Sequence, residues 1–329
     1  MEVMNPVICF GEALIDFLNV AQQEEQPLSL NEFRQYPGGA PANVAVAIAK
    51  LGGNALFAGQ VGKDAFGDFL QDSLKAYQVD TTLMSRHPQA KTPLAFVTLD
   101  TEGERSFSFY RDKTADLLFD KTQVNQEWFT SSSIFHFCSN TLTQGNITET
   151  TQYALSLAKS KGAIISFDVN LRANLWPDGI VDRIKVNQLA KQADVLKYSK
   201  DELLFLAEGD GQTYINALIN CGVSLILVTD GAEVIHFYGT NEIGQVLPPA
   251  VKAIDTTAGG DAFIGAFLFG LSQVNQPKTF LSQKKLFVPL ISFSANCGAH
   301  AVAQQGAFPA LPTFADVSSH WNSIETEQF

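Results

Sequence analysis

The sequence predicts an α/β fold in which helices flank a mostly parallel sheet and a second, smaller sheet stands apart. Short, strongly apolar runs recur along the chain, and stretches with helical periodicity separate them, as in βαβ units. At two places apolar and polar residues alternate instead, which is typical of an antiparallel sheet with one face in water. No internal repeat or long linker interrupts the 329 residues, so we expect one domain over residues 1–329.

The predicted elements follow this alternation. Strands of the main sheet are expected at Val7–Phe10, Ile134–Cys138, Ile164–Asp168, Val195–Tyr198 and Leu225–Thr229. Helices are expected at about 41–52, 64–77, 145–161, 181–193, 200–208, 259–273 and 284–303. The alternating runs Leu14–Val20 and Leu94–Tyr110 place the smaller sheet within about 12–36 and 92–116, inserted in the main core. One apolar face of such a sheet needs a cover, which a ligand cleft or a second copy of the chain could supply.

Composition narrows the function classes. Hydrophobic residues make up 46% of the chain, enough to bury a large core and to exclude a mainly disordered chain. Lys and Arg number 22 against 34 Asp and Glu, for a net charge of −12, and no basic cluster occurs. This balance argues against a nucleic-acid partner, which requires a basic surface. The four cysteines and five histidines show no spacing typical of a metal site or a disulfide framework.

The N-terminal segment indicates a cytoplasmic protein. It lacks a basic start, and Glu12 and Asp16 interrupt what would be the apolar core of a signal peptide. The longest uncharged apolar stretch, residues 286–303, contains Pro289 and Asn296. It therefore predicts a buried helix, and no membrane partner is expected.

The segment Asp255–Phe263, DTTAGGDAF, carries the strongest chemical signal. Its small residues predict a tight turn into a helix, whose first amide N–H groups favour an anion such as a phosphate. A carboxylate in the first turn, Asp261, opposes phosphate binding, so it needs another role. A general base toward a hydroxyl that attacks the phosphate is the natural one. The alternative is that Asp261 only caps the helix.

Further segments fall in a recognisable order. They are GEALID (11–16), GGAPAN (38–43), GQVGKDAFG (59–67), DVNLR (168–172), SKDE (199–202), TDG (229–231) and GAFPALP (306–312). Together with DTTAGGDAF they resemble, over nearly the whole chain, the ribokinase-like sugar kinases of the phosphofructokinase-B family. The first and last segments look most like bacterial fructokinases. The resemblance implies a Rossmann-like core with a small β-sheet lid, and ATP-dependent phosphorylation of a sugar hydroxyl.

The resemblance assigns the transfer chemistry to the start of the late helix. Asp261 would accept the proton of the sugar hydroxyl, and the N–H groups of Ala258, Gly259 and Gly260 would receive the charge that develops on the phosphoryl oxygens. Many family members have Gly-Ala-Gly where this chain has Ala258-Gly259-Gly260. We expect the anion hole to survive this change, which requires a negative φ at Ala258.

The resemblance also implies a set of sugar-binding residues. They are Asp16, Gly38, Gly39, Asn43, Arg111, Asp168, Asn170 and Arg172. A carboxylate such as Asp16 can accept two hydroxyls, and the glycine pair lets a sugar lie against the backbone. Local sequence leaves plainer alternatives open: a solvated strand charge at Asp16, an ordinary turn at Gly38-Gly39 and a surface cation at Arg172.

ATP and Mg²⁺ are the implied cofactors. The residues expected at the nucleotide are Ser199, Glu202, Thr229, Gly231, Thr257, Gly259 and Asn296. Mg²⁺ would be held chiefly by phosphates and water, with Glu202 acting indirectly, and K⁺ is a further expectation at Asp255 and Thr257. Ser199 replaces the family's Asn, which leaves a hydroxyl or water bridge to ATP. The family's late Asn-Ala is reversed here to Ala295-Asn296, which turns the amide by about 100° around the helix.

The resemblance thus implies a fructokinase that transfers the γ-phosphate of ATP to a primary hydroxyl of D-fructose. The alternatives within the family are 2-keto-3-deoxygluconate, ribose or a riboside as the acceptor. A catalytically silent sugar or nucleotide sensor is a third hypothesis. A dinucleotide-dependent oxidoreductase is a fourth, but no G-x-G-x-x-G follows a strand. A homodimer through the lid sheet is the expected assembly.

Overall fold

The computed structural model describes residues 4–99, 105–240, 242–282 and 287–321. Both ends of the predicted domain (1–3 and 322–329), residues 100–104 of the predicted lid and the first residues of the helix predicted at 284–303 lie outside the described residues.

The strands and helices alternate along most of the chain. The strands are β1 (Val7–Phe10), β2 (Leu14–Glu25), β3 (Leu28–Gly38), β4 (Ala55–Gly62), β5 (Met84–His87), β6 (Leu94–Leu99), β7 (Arg105–Tyr110), β8 (Ile134–Cys138), β9 (Ile164–Asp168), β10 (Val195–Ser199), β11 (Leu225–Thr229), β12 (Ile235–Gly239) and β13 (Ile243–Val246). The helices are α1 (Ala40–Lys50), α2 (Ala65–Ala76), α3 (Gly145–Ser160), α4 (Arg183–Ala190), α5 (Lys200–Leu206), α6 (Gly211–Asn220), α7 (Gly259–Ser272), α8 (Pro277–Ser282), α9 (Phe287–Val302) and α10 (Phe314–Val317).

A nine-stranded sheet forms the centre of the described chain, in the order β13-β12-β11-β10-β9-β8-β1-β4-β5. Its strands run parallel except at the β11, β12 and β13 edge, where the pairs are antiparallel. In β1, Val7 and Cys9 face one apolar core and Ile8 and Phe10 face the other. The first core contains residues of α1, α7 and α9, and the second contains residues of α3 to α6. The predicted α/β class, with helices flanking a mostly parallel sheet, is therefore confirmed.

The smaller sheet has the strand order β3-β2-β6-β7 and is called the lid below. Its outer pairs, β2 with β3 and β6 with β7, are antiparallel as predicted, but the central pair of β2 and β6 is parallel. The reason is the connection: β2 and β6 are not joined by a hairpin, since the chain passes through the main core between them, and a long crossover permits parallel pairing.

The topology gathers polar residues at one edge. Strands β1, β8, β9, β10 and β11 are parallel neighbours, so the segments that follow them lie together at their carboxyl ends, where ligands of α/β sheets bind. The lid begins at Leu14, directly after β1, and therefore stands at this edge. No helix in the described part of the chain is both long and apolar enough to cross a bilayer.

Candidate active site

Two cavities adjoin at the N-terminus of α7. The sugar-side cavity, of about 310 Å³, is lined by Glu12, Leu14, Asp16, Gly39, Ala40, Asn43, Phe109, Asn140, Asn170, Arg172, Leu175, Thr256, Thr257 and Asp261. The second, of about 250 Å³ and called the apolar cavity below, is lined by Thr229, Gly231, Ala232, Ile235, Pro248, Pro249, Val251, Ala253, Thr256, Gly259, Gly260, Phe263, Ala295, Gly298, Ala299 and Val302. Thr256 lines both cavities, and Gly260 and Asp261 are consecutive residues that line one each. The first turn of α7 therefore separates the two.

The start of α7 presents amide donors. The backbone N–H groups of Ala258, Gly260 and Asp261 donate no hydrogen bond to any described residue. The Gly259 N–H donates one long hydrogen bond, of 3.5 Å, to the Thr256 carbonyl oxygen. Ala258 has φ −104°, so its side chain is accommodated, as the predicted survival of the anion hole requires. The N-cap residue, Ala258, makes no side-chain capping bond, and the hydrogen bond that the described residues give to the Asp261 carboxylate comes from Asn43, which argues against a capping role for Asp261. These N–H groups are available to an anion.

Both glycines at this helix start are required by their neighbours. A Cβ at Gly259 would lie 2.5 Å from Val302 Cγ1, and a Cβ at Gly260 would lie 3.0 Å from Lys197 Nζ. Side chains here would push α7 away from α9 or from β10, and would also cover the amide groups.

Asp261 is a buried carboxyl held by one hydrogen bond. It is 7% exposed, and Asn43 Nδ2 of α1 donates to its Oδ2 at 2.7 Å. Burial raises the pKa of Asp261 above the ordinary aspartate value, while the Asn43 bond and the charges of Lys197 and Arg172 oppose this rise. A desolvated carboxylate beside the amides of α7 is suited to take a proton from a hydroxyl in the sugar-side cavity.

Five of the predicted sugar-binding residues line the sugar-side cavity: Asp16, Gly39, Asn43, Asn170 and Arg172. Gly38 lies behind Asp16, because a Cβ there would collide with the Asp16 carboxylate. Gly39 has φ +103°, and a Cβ on it would lie 2.5 Å from the Glu12 carbonyl oxygen. The glycine pair thus lets the lid strands, the start of α1 and the segment after β1 meet closely around the cavity.

A family model described as pfkB family carbohydrate kinase matches residues 4–313. The chain belongs to this family. The resemblance deduced from the sequence motifs is therefore confirmed, and the chain is a carbohydrate kinase of the pfkB family.

Individual relatives cover almost the whole kinase. A fructokinase from Xylella fastidiosa, solved with bound ATP, has a TM-score of 0.89 and 40% identity, and the match covers 99% of this chain and 100% of that one. A fructokinase from Vibrio cholerae, solved with fructose, ADP and calcium, has a TM-score of 0.83 and 33% identity over 96% and 99% of the two chains. Probable fructokinase-5 of Arabidopsis thaliana is 38% identical over 94% of this chain and 95% of its own length.

In this kinase, the residues of the sugar-side cavity that sequence reasoning missed include a carboxylate and an amide, Glu12 and Asn140. Asn140 Nδ2 donates to Glu12 Oε1 at 2.9 Å. Glu12 Oε2, Asn140 Oδ1 and Asn43 Oδ1 are buried and have no hydrogen-bond partner among the described residues. Burial raises the pKa of Glu12, and Arg111 opposes this rise. Their position directly after β1 and β8 was the available signal, because polar residues that follow parallel strands lie at the ligand edge.

Arg111 is a correction to the predicted sugar site. Its Nε donates to Asp116 Oδ2 at 2.6 Å and its Nη2 donates to the Asn140 carbonyl oxygen at 3.0 Å. Arg111 and Asp116 are both buried, and Arg111 does not line the sugar-side cavity. A guanidinium at this depth requires a paired carboxylate, and Asp116 five residues later supplies it. Arg111 therefore orients Asn140 from behind rather than reaching the sugar from the lid.

Asp168 is a second correction. It is 2% exposed and absent from both cavity walls, and its two oxygens lie 3.1 and 3.2 Å from Lys197 Nζ. The carboxylate is thus engaged in a buried ion pair beneath the site. Sequence reasoning missed Lys197, although a lysine inside the apolar run of β10 was a visible signal: lysine is almost never fully buried without a partner.

Of the residues predicted to lie at the nucleotide, Thr229, Gly231 and Gly259 line the apolar cavity. Thr257 lines the sugar-side cavity instead. Asn296 is a third correction. It does not line this cavity, and its Nδ2 donates to the Ser292 carbonyl oxygen at 2.9 Å. The face of α9 toward the cavity consists of residues 295, 298, 299 and 302, a spacing that keeps residues on one helix face and leaves residue 296 turned away.

Ser199 and Glu202 form a capping box at the start of α5. The Ser199 N–H donates to Glu202 Oε2 at 2.7 Å, and the Leu171 N–H donates to Glu202 Oε1 at 2.7 Å. Neither residue lines either cavity, and the Ser199 hydroxyl oxygen accepts from the Glu202 N–H at 3.2 Å, so a hydroxyl or water bridge from Ser199 to ATP stays a prediction. With both carboxylate oxygens engaged, Glu202 holds the segment after β9, which carries Arg172.

Asp255 connects the two segments that flank α7 and α9. Its Oδ1 accepts from the Thr257 N–H and its Oδ2 accepts from the Gly306 N–H, both at 2.9 Å. In the residues that the structure describes, no group of three or more His, Cys, Asp or Glu side chains is arranged to hold a metal ion.

Proposed function

We propose that this kinase is a fructokinase, which transfers the γ-phosphoryl group of ATP to a primary hydroxyl of D-fructose. The observation that carries the proposal is the first turn of α7. There a buried carboxylate faces a polar cavity, while Gly259 and Gly260, whose N–H groups make at most one long hydrogen bond among the described residues, border a second, largely apolar one. The relatives named above as fructokinases, solved with ATP or with fructose and ADP, support the same assignment.

The transfer follows from this arrangement. The sugar hydroxyl oxygen attacks the γ-phosphorus and gives its proton to Asp261, while the bond from the γ-phosphorus to the oxygen of ADP breaks. The N–H groups of Ala258, Gly259 and Gly260 donate to the phosphoryl oxygens on which charge develops. The apolar cavity fits a flat base, and the amide-lined end fits the phosphates. Mg²⁺ enters as part of the substrate MgATP and lowers the charge of the phosphates.

The side chains of the sugar-side cavity favour a neutral, hydroxyl-rich acceptor. Three of its lining residues are acidic, Glu12, Asp16 and Asp261, and one, Arg172, is basic. The unpartnered atoms of Glu12, Asn43 and Asn140 are hydrogen-bond acceptors, so they need donors such as sugar hydroxyls. The carboxylate of 2-keto-3-deoxygluconate would add a negative charge to this acidic cavity, and that group would donate no hydrogen bond. This argument favours fructose over the sugar acid.

A coupled assay of ADP release over fructose, 2-keto-3-deoxygluconate, ribose and a riboside tests the proposal. Fructose is expected to give the highest kcat/KM, and Asp261→Asn is expected to lower its turnover by about 10²–10⁴-fold. Asp72→Asn, an exposed aspartate of α2, is the matched control and should keep the wild-type rate. Near-wild-type turnover by Asp261→Asn would refute the mechanism. Binding of sugar and ATP without turnover of any acceptor would favour the sensor hypothesis.

The assembly and ion requirement belong to the same proposal. A homodimer through the lid is supported by exposed apolar side chains on its strands, Leu28, Leu30 and Tyr110 among them. A K⁺ site at Asp255 and Thr257 and a cytoplasmic location remain predictions from the sequence. The K⁺ site predicts that activity with MgATP falls when K⁺ is exchanged for a bulky organic cation, which the same assay measures.

A further inference from the structure

Lys197 places a buried positive charge directly behind the proposed base. The residue is 7% exposed in β10, and its Nζ is 3.1 and 3.2 Å from the two Asp168 oxygens in the neighbouring strand β9. The same Nζ lies 3.0 Å from where a Cβ on Gly260 would be. The ammonium therefore lies between β9 and the first turn of α7, one residue before Asp261.

The groups that face this ammonium come from four elements. They are Asp168 on β9, Glu202 on α5, Asp261 on α7 and His136 on β8. Burial lowers the pKa of Lys197, but the three carboxylates outweigh burial and leave it raised. Burial and the Lys197 charge lower the pKa of His136 to about 3, and its Nδ1 lies 3.0 Å from Ser166 Oγ. Lys197 is therefore the charged partner of the three carboxylates near neutral pH, and His136 is uncharged.

Asp168 makes this cation necessary. Burial raises the pKa of the Asp168 carboxyl, the charges of Glu202 and Asp261 raise it further, and the charge of Lys197 opposes this rise. Asp168 lines neither cavity, so its effect on the reaction is exerted through charge and packing and not through contact with the sugar.

On the basis of the function proposed above, we propose that Lys197 is a positioning residue for phosphoryl transfer. Its ammonium neutralises Asp168 and keeps Asp261 in the ionised form that accepts the proton of the sugar hydroxyl. Asp168 and Lys197 thus act as one charge-balanced unit beneath the helix start, and the glycine at position 260 leaves the space that the ammonium occupies.

The test measures kcat/KM against pH in variants that remove either the positive or the negative charge of the Lys197–Asp168 pair. The quantity compared is the acid limb, the pH range over which kcat/KM falls as the pH decreases. Lys197→Met removes the cation, so the limb should move to higher pH; Asp168→Asn leaves the cation unbalanced, so the limb should move to lower pH. Each displacement should be about one pH unit or more. The double variant should return toward the wild-type position, and Lys197→Arg should stay close to it. Lys159→Met, which removes an exposed lysine in the last turn of α3, controls for net charge.

A ¹³C NMR titration of the Asp261 carboxyl, assigned with Asp261→Asn, gives the same readout without turnover. If Lys197→Met does not fold, the direction of the Asp168→Asn displacement decides. If the ion pair is purely structural, both variants should lower kcat and leave unchanged both the acid limb of the pH profile and the titration midpoint of Asp261. That result would overturn the inference. A shift of the acid limb in the same direction in both variants would also overturn it. Absence of kinase activity in the wild-type protein would instead refute the proposed function, and the NMR titration would still decide the role of Lys197.

Discussion

At the scale of single residues, the hydrogen bond from Asn43 to Asp261 controls when the base is available. Burial raises the pKa of Asp261 and the 2.7 Å bond from Asn43 opposes that rise. The base acts when ionised, so kcat/KM falls as the pH decreases through this pKa. Asn43→Ala removes an interaction that lowers the pKa, and we therefore expect the acid limb to move to higher pH.

Measuring kcat/KM for fructose against pH checks this expectation, with Asn216→Ala on the exposed part of α6 as the matched amide control. An acid limb that moves to lower pH in Asn43→Ala would contradict the role of the bond. A higher KM is also expected, because Asn43 lines the sugar-side cavity.

Site residues in turns with a recognisable sequence were predictable, whereas charged residues that are paired inside the fold were not. Asp261 and Gly39 lie in turns whose backbone chemistry is visible in the sequence, and the structure brings them to the cavities. Arg111 and Asp168 carry charges that suit a sugar equally well, but each is paired inside the fold with a residue that no local pattern identifies as its partner. The predicted place of Asn296 at the nucleotide was wrong because a shift of one residue along α9 turns the side chain away from the cavity.

At the scale of elements, the contact between α1 and α7 sets the geometry of the base. Helix α1 carries Asn43 and α7 carries Asp261, and they pack through Gly265, where a Cβ would lie 2.6 Å from the Ala47 Cβ. Gly265→Ala is expected to force the helices apart, lower the free energy of unfolding by about 1–3 kcal/mol and reduce kcat. Urea unfolding and the coupled assay measure the two effects.

Gly145→Ala at the start of α3 is the matched control, because a Cβ there meets nothing within 4 Å. It should leave stability nearly unchanged or slightly higher, since alanine costs less chain entropy than glycine. Equal stability of the two variants would show that the helices tolerate the added methyl.

The elements that the sequence predicted were those with a strong apolar period. Strands β1, β8, β9, β10 and β11 are buried on both faces and occur where continuous apolar runs are found. Strand β4, ALFAGQVG, was missed because its glycines and glutamine weaken the apolar run. It is buried because it lies between β1 and β5 in the sheet. The parallel pairing of β2 with β6 depends on the path of the chain between the two strands, which the local alternation of apolar and polar residues cannot predict.

At the scale of the whole molecule, the lid leaves an aromatic surface that the rest of the described chain covers only in part. Phe96 contacts Phe17, Phe33 and Tyr110, with ring centroids 5.1 to 5.4 Å apart, and Phe33 and Tyr110 remain 37% and 64% exposed. Phe109, the residue before Tyr110, lines the sugar-side cavity. Because successive side chains of a strand point to opposite faces, the aromatic surface faces away from the sugar. Covering it therefore requires something other than substrate.

If two lids cover each other, light scattering at micromolar concentration should give roughly twice the monomer mass of 35.8 kDa. Phe33→Glu would bury a charge in that contact, so it should yield the monomer, whereas Ile184→Glu on α4, also at an exposed apolar residue, should not. Since the same sheet supplies Asp16 and Phe109 to the sugar-side cavity, the monomeric variant should also show a raised KM for fructose with a smaller change in KM for ATP. A wild-type mass near 35.8 kDa, or an unchanged mass for Phe33→Glu, would contradict the lid-mediated dimer.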